Sequence, residues 1–520
     1  MNAVRSIVAG LLCLAGVAQG ADLPVKYLAY VEATGSQYVD TGFVPNGNTK
    51  IEATYQLTAL ESQHNYVFGV YGANGSGRCQ FSPAAKTYAG FGDGYSDSIT
   101  WQEDTAWHTV EMNKGTFKVD GNQIYSRSFA GASKNLFLFA VNANGTAADF
   151  ATDRISLVKI YDNGVLKRLM VPCEMSDGRV GFWDFVTGAF YGDRASGNFV
   201  GGAEVSPLER LEYVRFANGT YVDTGVVPAD HETAIRFRDE KSAAGGYLFG
   251  GANNNQWLYS FTSSGASWTW GYSGTASRSY SGYTPNVDHT LVFNDMAGGR
   301  VYMDGLDMGK GMEATPTSRL YLGRRYNVYN YEGRIYWVKV TARTTGDLAL
   351  WLEPMRVCGT VGFYDPAAGK LLLQGAGTLS AGPLQAGQFE IAGQRDFTVE
   401  GMTPACGLYE DVAVGAEIAV SAPAETVIAP ELKVTCTGWK LYEWDDEAMG
   451  WVYNEGRANA SGSGTSFTYV HTGVATKLEW QWSFANPVAA GDERYVAEFG
   501  DDAADGTSWA TAKKTVQAAI

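Results

Sequence analysis

The chain has 520 residues, 45% hydrophobic and 18% charged, with 63 glycines against 15 prolines. It carries 39 Lys+Arg against 55 Asp+Glu, a formal charge of −16, which disfavours nucleic acid and anionic membrane as partners because both need basic footprints. From Ala386 onward 20 Asp+Glu stand against 8 Lys+Arg, so that stretch holds −12 and the first 385 residues the remaining −4.

At the N-terminus Arg5 precedes an apolar run from Ile7 to Val17, followed by Ala18-Gln19-Gly20. The run is too short to span a bilayer, so residues 1–20 read as a cleaved signal peptide with maturation near Ala21. Cys13 lacks the preceding small residue of a lipoprotein site. No later stretch approaches the roughly 18 apolar residues of a membrane helix. The expected location is secreted, extracellular or at the cell surface, with no membrane span.

An internal repeat then sets the architecture. Leu28 to Pro45 reads LAYVEATGSQYVDTGFVP, and Leu211 to Pro228 reads LEYVRFANGTYVDTGVVP. The register continues through His108-Thr109 and His289-Thr290, then Asp120-Gly121 and Asp304-Gly305, and ends at Val180-Gly-Phe-Trp-Asp184 and Val361-Gly-Phe-Tyr-Asp365. A period this long is a duplicated domain, not a solenoid. Within each copy, strand-like runs flank the Asp-Gly pairs, where a two-residue hairpin needs φ > 0. Ile155 to Tyr161 and Ile335 to Thr341 read as strands too apolar to keep one face in water. Sustained helical periodicity is missing from both copies, which predicts two-sheet sandwiches over 23–205 and 206–385.

The YVDTG strand, the W-H-T-V or D-H-T-L strand and the strand–Asp-Gly–strand hairpin resemble the LamG-like jelly roll of the concanavalin-A-like superfamily. That resemblance implies extracellular binding of polysaccharide, other glycan or cell-surface protein, sometimes with calcium (Ca2+), and in some branches glycoside hydrolysis. The hydrolytic branch presents Glu-x-Asp-x-Glu on one strand, and neither copy has it. Glu443, Asp445 and Glu447 share that spacing, but they lie beyond both jelly rolls and read as an acidic strand end. His108 and His289 recur without a Ser/Asp constellation and read as packed or hydrogen-bonded strand residues. Asp40 and Asp223, within YVDTG, read as turn or strand-end residues rather than metal ligands. The metal question stays open, and the chain leans away from catalysis.

Carbohydrate binding calls for aromatic faces. The second copy is the richer, with Trp257, then Trp268, Trp270 and Tyr272 in one strand, where alternation puts the last three on one face. That face reads either as core or as a sugar platform. The first copy has only Tyr88, Phe91 and Tyr95 in the corresponding stretch.

Residues 386–487 change pattern. Val434 to Trp444, Ser466 to Val470 and Lys477 to Trp482 read as strands, with Ala458 to Thr465 a Gly/Ser loop, which predicts a small Ig-like β domain serving as a spacer. Cys406 and Cys436 lie within it and form the candidate disulfide among five cysteines beyond the signal segment. From 488 to 520 a strand, an Asp/Gly turn and a helix resemble the opening of right-handed parallel β-helix proteins of the pectate-lyase-like superfamily. The sequence stops in mid-helix, which reads as a truncated reading frame.

The expected fold is all-β: two tandem jelly rolls, a small β domain and the first turn of a β-helix. Three functions fit this order. They are a secreted non-catalytic binding protein, the accessory region of a polysaccharide lyase or hydrolase, and a structural adhesin or stalk.

Overall fold

The computed structural model describes residues 23–484 apart from 61–64, 84–86, 97–98, 100, 102–103, 196, 241–245, 252–257, 264–266, 273–277, 311–315, 326–327, 330, 385–386, 393–398, 400, 413, 430–431, 446–449 and 454–459. The β-helix segment proposed at 488–520 and the signal segment lie outside the described residues. The chain is all-β, and no α-helix occurs among the described residues.

Each repeat folds into two sheets that enclose one core. In the first, the larger sheet runs Asn122–Ser126, Thr116–Val119, Trp107–Asn113, Thr49–Gln56, Arg154–Asp162, Val165–Glu174. The second repeats that order with Leu306–Lys310, Arg300–Met303, His289–Phe293, His231–Asp239, Gly333–Ala342, Leu348–Val357. Thr49–Gln56 shows why these residues make a strand. Thr49, Ile51, Ala53 and Tyr55 alternate inward with Lys50, Glu52, Thr54 and Gln56, so one pleated face is dry and the other wet. The two-residue turns form as expected, with Asp120 and Gly121 at φ 49° and 81° and Asp304 and Gly305 at 51° and 79°, a conformation in which glycine meets no Cβ penalty.

The expectation that Ile155 to Tyr161 and Ile335 to Thr341 keep neither face in water holds in part. Ile155, Val158 and Ile160 face the core, while Leu157, Lys159 and Tyr161 are half-buried on the other side, where Leu157 and Tyr161 pack into a separate apolar cluster. The outer face of this sheet in the first module docks the second module.

That dock is a fourth hydrophobic cluster, in which Leu169, Val171, Cys173, Trp183 and Phe185 of the first module meet Met355, Val357 and Leu371 of the second. Polar bonds fasten it: Trp183 Nε1 donates to the Gly369 carbonyl at 2.6 Å, and Lys159 Nζ to the Cys358 carbonyl at 2.8 Å. The Leu371 amide donates to the Phe185 carbonyl at 2.7 Å. The described residues up to Leu384 are accordingly one compact unit, and those from Gly387 onward belong to the other.

Among its described residues the second unit holds a seven-stranded sheet and a two-stranded one. Its core gathers Phe389, Ile391, Trp439, Leu441, Tyr469, Leu478 and Trp480. The strands Leu432–Asp445, Ser466–Val470 and Thr476–Phe484 match the sequence reading. The Gly/Ser loop is not wholly a loop, because Ser461–Ser463 pairs with Gly438–Lys440. The strand Gly450–Tyr453 was not anticipated; it closes a hairpin on Tyr442 to Asp445.

The proposed disulfide does not form. Cys406 is exposed and its thiol meets the Met402 sulfur at 3.4 Å, while Cys436 is buried on its strand and its thiol faces the Gly438 and Gly464 carbonyls. A shared domain suggests the pair, but each sulfur has its own surroundings. Burial pushes both thiols up.

Candidate functional site

The aromatic strand singled out in the second module is core. Trp268 and Trp270 do share a face, and that face points inward, with 0% and 2% of their surfaces exposed. Trp268 packs on Phe237 and Tyr283 at 5.0 Å centroid distance each, and Trp270 Nε1 donates to the Lys310 carbonyl at 3.3 Å. A sugar cannot reach either ring, which corrects the platform expectation. Trp257 lies outside the described residues, and Tyr272 is described only as the end of the strand Ser267–Tyr272.

The repeated histidines and Asp-Gly turns turn out to be one device. His108 Nδ1 lies 2.7 Å from Asp120 Oδ2, while the Thr109 amide donates to Asp120 Oδ1 at 2.9 Å. In the second copy His289 Nδ1 lies 2.6 Å from Asp304 Oδ2, and the Thr290 amide donates to Asp304 Oδ1 at 2.8 Å. The turn aspartate thus latches its hairpin to the neighbouring strand. His289 Nε2 also meets the Thr284 carbonyl at 2.7 Å, so both ring nitrogens face acceptors. Burial disfavours the charged ring, yet the bonds to Asp304 and Thr284 outweigh it and raise the His289 pKa. Burial likewise works against the Asp304 carboxylate, but His289 and the Thr290 amide hold it below the usual range.

Asp40 and Asp223 are turn residues, as expected. Each accepts the amide two residues on, Gly42 and Gly225, at 2.9 Å. The neighbouring Thr41 and Thr224 hydroxyls donate to the Leu136 and Leu320 carbonyls at 2.8 Å. A calcium ion needs six or more converging oxygens, and these carboxylates do not supply them: Asp40 Oδ2 accepts from Asn135, and Asp223 Oδ2 pairs with Arg319. Among the described residues no group of three or more His, Cys, Asp or Glu could hold a metal ion. Glu443 sits half-buried near the end of its strand, and Glu447 lies outside the described residues.

The sequence reading missed a cleft of about 380 Å³ in the first module, lined by Asp40, Gly42, Asn135, Arg179, Phe190, Tyr191, Gly192, Asp193 and Arg194. The YVDTG strand builds one wall and Ala189–Gly192 the other. The loop after Gly192 is zipped onto the first wall, since the Tyr38 amide donates to Asp193 Oδ1 and the Arg194 amide to the Tyr38 carbonyl, both at 3.0 Å. Behind the aromatics, Arg168 donates to the Thr41 carbonyl at 3.1 Å and its guanidinium lies 5.7 Å from the Tyr191 ring centre. Asp184 lies 3.5 Å from the Arg168 Nε and is fully buried. Burial raises its pKa against the hydrogen bonds from Thr187, Leu169 and Val186.

The cleft offers carboxylates, guanidinium donors, an amide and aromatic rings within one concavity. In the second module the matching register, Phe182↔Tyr191 against Phe363↔Leu372, replaces the aromatics by leucines. The corresponding wall there carries Leu371, Leu372 and Leu373. Comparing the copies position by position was the signal available in sequence.

A second aromatic group occupies the small domain. Tyr442 pairs with Tyr453 across the unanticipated hairpin, and Trp451 lies on the same strand as Tyr453. Lysines already lie over these rings, Lys440 over Tyr453 at 4.8 Å and Lys477 over Tyr442 and Trp451 at 5.1 and 5.4 Å.

No helix among the described residues is long and apolar enough to cross a membrane. Neither a protein-family model nor a curated protein matches the chain. Among solved structures it is similar to domains LG4-5 of the mouse laminin alpha1 chain, at 12% identity over 64% of this chain and 93% of that one, TM-score 0.23. It is similar to a Bacteroides ovatus protein described as a candidate carbohydrate binding protein, at 8% identity over 68% and 94%, TM-score 0.26. The LG1-3 region of the laminin alpha2 chain matches at 10% identity over 79% and 77%, TM-score 0.21. Likeness of this grade assigns no function, which rests on the side chains of the site.

Proposed function

We propose that this chain is an exported, non-catalytic carbohydrate-binding protein built on LamG-like jelly rolls, with a saccharide seated in the first-module cleft. The observation that carries this reading is the cleft itself. Its volume, about 380 Å³, falls within the roughly 300–1,000 Å³ of small-molecule sites. Its lining suits a sugar: Arg194 donates to hydroxyls, the lone pairs that Asp40 and Asp193 keep beyond their bonds to Gly42, Asn135 and Tyr38 accept from them, and Tyr191 offers a ring to the apolar face of a pyranose. Arg194 is exposed and Tyr191 half-buried, so a ligand reaches both.

Saturation-transfer NMR of the full chain against a panel of mono- and disaccharides tests this. Binding by the native chain and its loss in both Arg194→Ala and Tyr191→Ala is the expected result. Equal saccharide signals from all three proteins, or none from the native chain, would overturn it.

A further inference from the structure

The duplication supplies an internal control for surfaces, because any position in one module has a counterpart in the other. In the first module Leu157 pairs with Thr54, Leu169 with Lys159 and Val171 with Trp183. The counterparts follow from the same register: Trp337 pairs with Arg236, Trp351 with Lys339 and Glu353 with Tyr364. Leu169 and Val171 are buried under the second module, with Leu157 packed at their edge. Trp337, Lys339, Trp351 and Glu353 are half-buried.

Two leucines and a valine have therefore become two tryptophans and a glutamate on the outer face of the sheet. The tryptophan rings lie 5.8 Å apart and only 25° from parallel. Trp351 Nε1 donates to Glu353 Oε1 at 2.7 Å, and the other Glu353 oxygen lies 3.9 Å from Arg210. Lys339 is the counterpart of Lys159, whose ammonium donates across the module dock to the Cys358 carbonyl.

We propose that Trp337, Lys339, Trp351 and Glu353 form a binding face for an uncharged pyranose polysaccharide, separate from the first-module cleft. The indoles are stacked on each other, and the indole surface turned away from that stack is what the axial C–H bonds of a sugar ring meet. Lys339 donates to hydroxyls and Glu353 accepts from them, so the polar partners of a diol stand beside the rings. Glu353 stands against Arg210, Arg236 against Asp288 and Lys339 near Glu232, so the charges around the rings offset one another, and the overall −16 repels polyanions. A further jelly roll docking here is disfavoured by the same substitution. Where the first module offers Val171 to a dry interface, this one would have to desolvate Glu353.

The test is a glycan array probed with the full chain and with Trp337→Ala, Trp351→Ala, Trp351→Phe and Tyr191→Ala, each checked for native circular dichroism. The native chain should retain uncharged polysaccharides. Either alanine variant should weaken that retention by roughly tenfold or more, as loss of a central aromatic anchor does, while Trp351→Phe keeps most of it. Tyr191→Ala separates the two sites, because retention lost there and kept in both tryptophan-to-alanine variants would belong to the cleft. Retention unchanged in both alanine variants, retention confined to acidic glycans, or loss only in Tyr191→Ala would each overturn the proposal, and the last would leave the cleft reading standing. Light scattering is run alongside: concentration-dependent self-association that Trp351→Ala abolishes would assign the face to a second copy instead.

Discussion

The second module carries two tryptophan pairs with opposite fates. Trp268 and Trp270 sit two residues apart on one strand and are buried. Trp337 and Trp351 sit on adjacent strands of the other sheet and are half-exposed. Alternation in sequence announced the first pair, and it tells which residues share a face without telling which face meets water. Nothing in local sequence announces the second pair, since Ile335 to Thr341 reads as a strand too apolar to keep one face in water and Trp351 lies on a strand, Leu348–Val357, that the sequence reading does not single out. Only the comparison with Leu157 and Leu169 exposes it.

The sharpest break between the pairs is in stability. Trp268→Ala should cost about 3–5 kcal/mol, the range for an aromatic removed from a packed core, whereas Trp351→Ala should cost about 1 kcal/mol or less. Chemical denaturation followed by circular dichroism measures both, and similar losses would erase the distinction. Next in size is the dock between modules. Calorimetry of the native chain should show the two jelly rolls unfolding as one transition, and Trp183→Ala should split it, because that indole fills the shared cluster and bonds Gly369. Two separate transitions in the native chain would contradict a common core.

A smaller effect is expected at the latch. Asp304→Asn keeps a residue that tolerates positive φ but loses the charge facing His289, at an expected cost of about 1 kcal/mol. The pH sign follows from both partners. The raised His289 contributes fully below its ordinary value of 6.5 and loses that contribution as pH rises through its folded value. The lowered Asp304 contributes above its ordinary 3.8 and fades as pH falls through its folded value. The difference between native and Asp304→Asn melting temperatures should therefore be larger at pH 5.5 than at pH 8.5, and a difference that grows with pH would refute the latch.

Much of the fold was legible because duplication and hairpin chemistry are local. YVDTG, the Asp-Gly turns and the strands of the small domain all stood out from residue type and spacing. The site was less so. Asp120 and His108 are twelve residues apart, and only the hairpin register brings them within 2.7 Å. The cleft unites Asp40 with Tyr191 and Arg194 through a loop zipped onto a distant strand, a closure that no pattern of periodicity encodes. Gly450–Tyr453 escapes a sequence reading because four residues carry little alternation to count, and the Cys406–Cys436 pairing rests on a shared domain alone.

Tryptophan fluorescence during titration with a retained uncharged polysaccharide tests the exposed face most directly. The native chain and Trp268→Phe should both show an emission shift on binding, and the Trp337→Phe, Trp351→Phe double variant should show none, because its reporting indoles are gone. A shift that survives in the double variant but vanishes in Trp268→Phe would place the sugar against the buried pair and contradict the account.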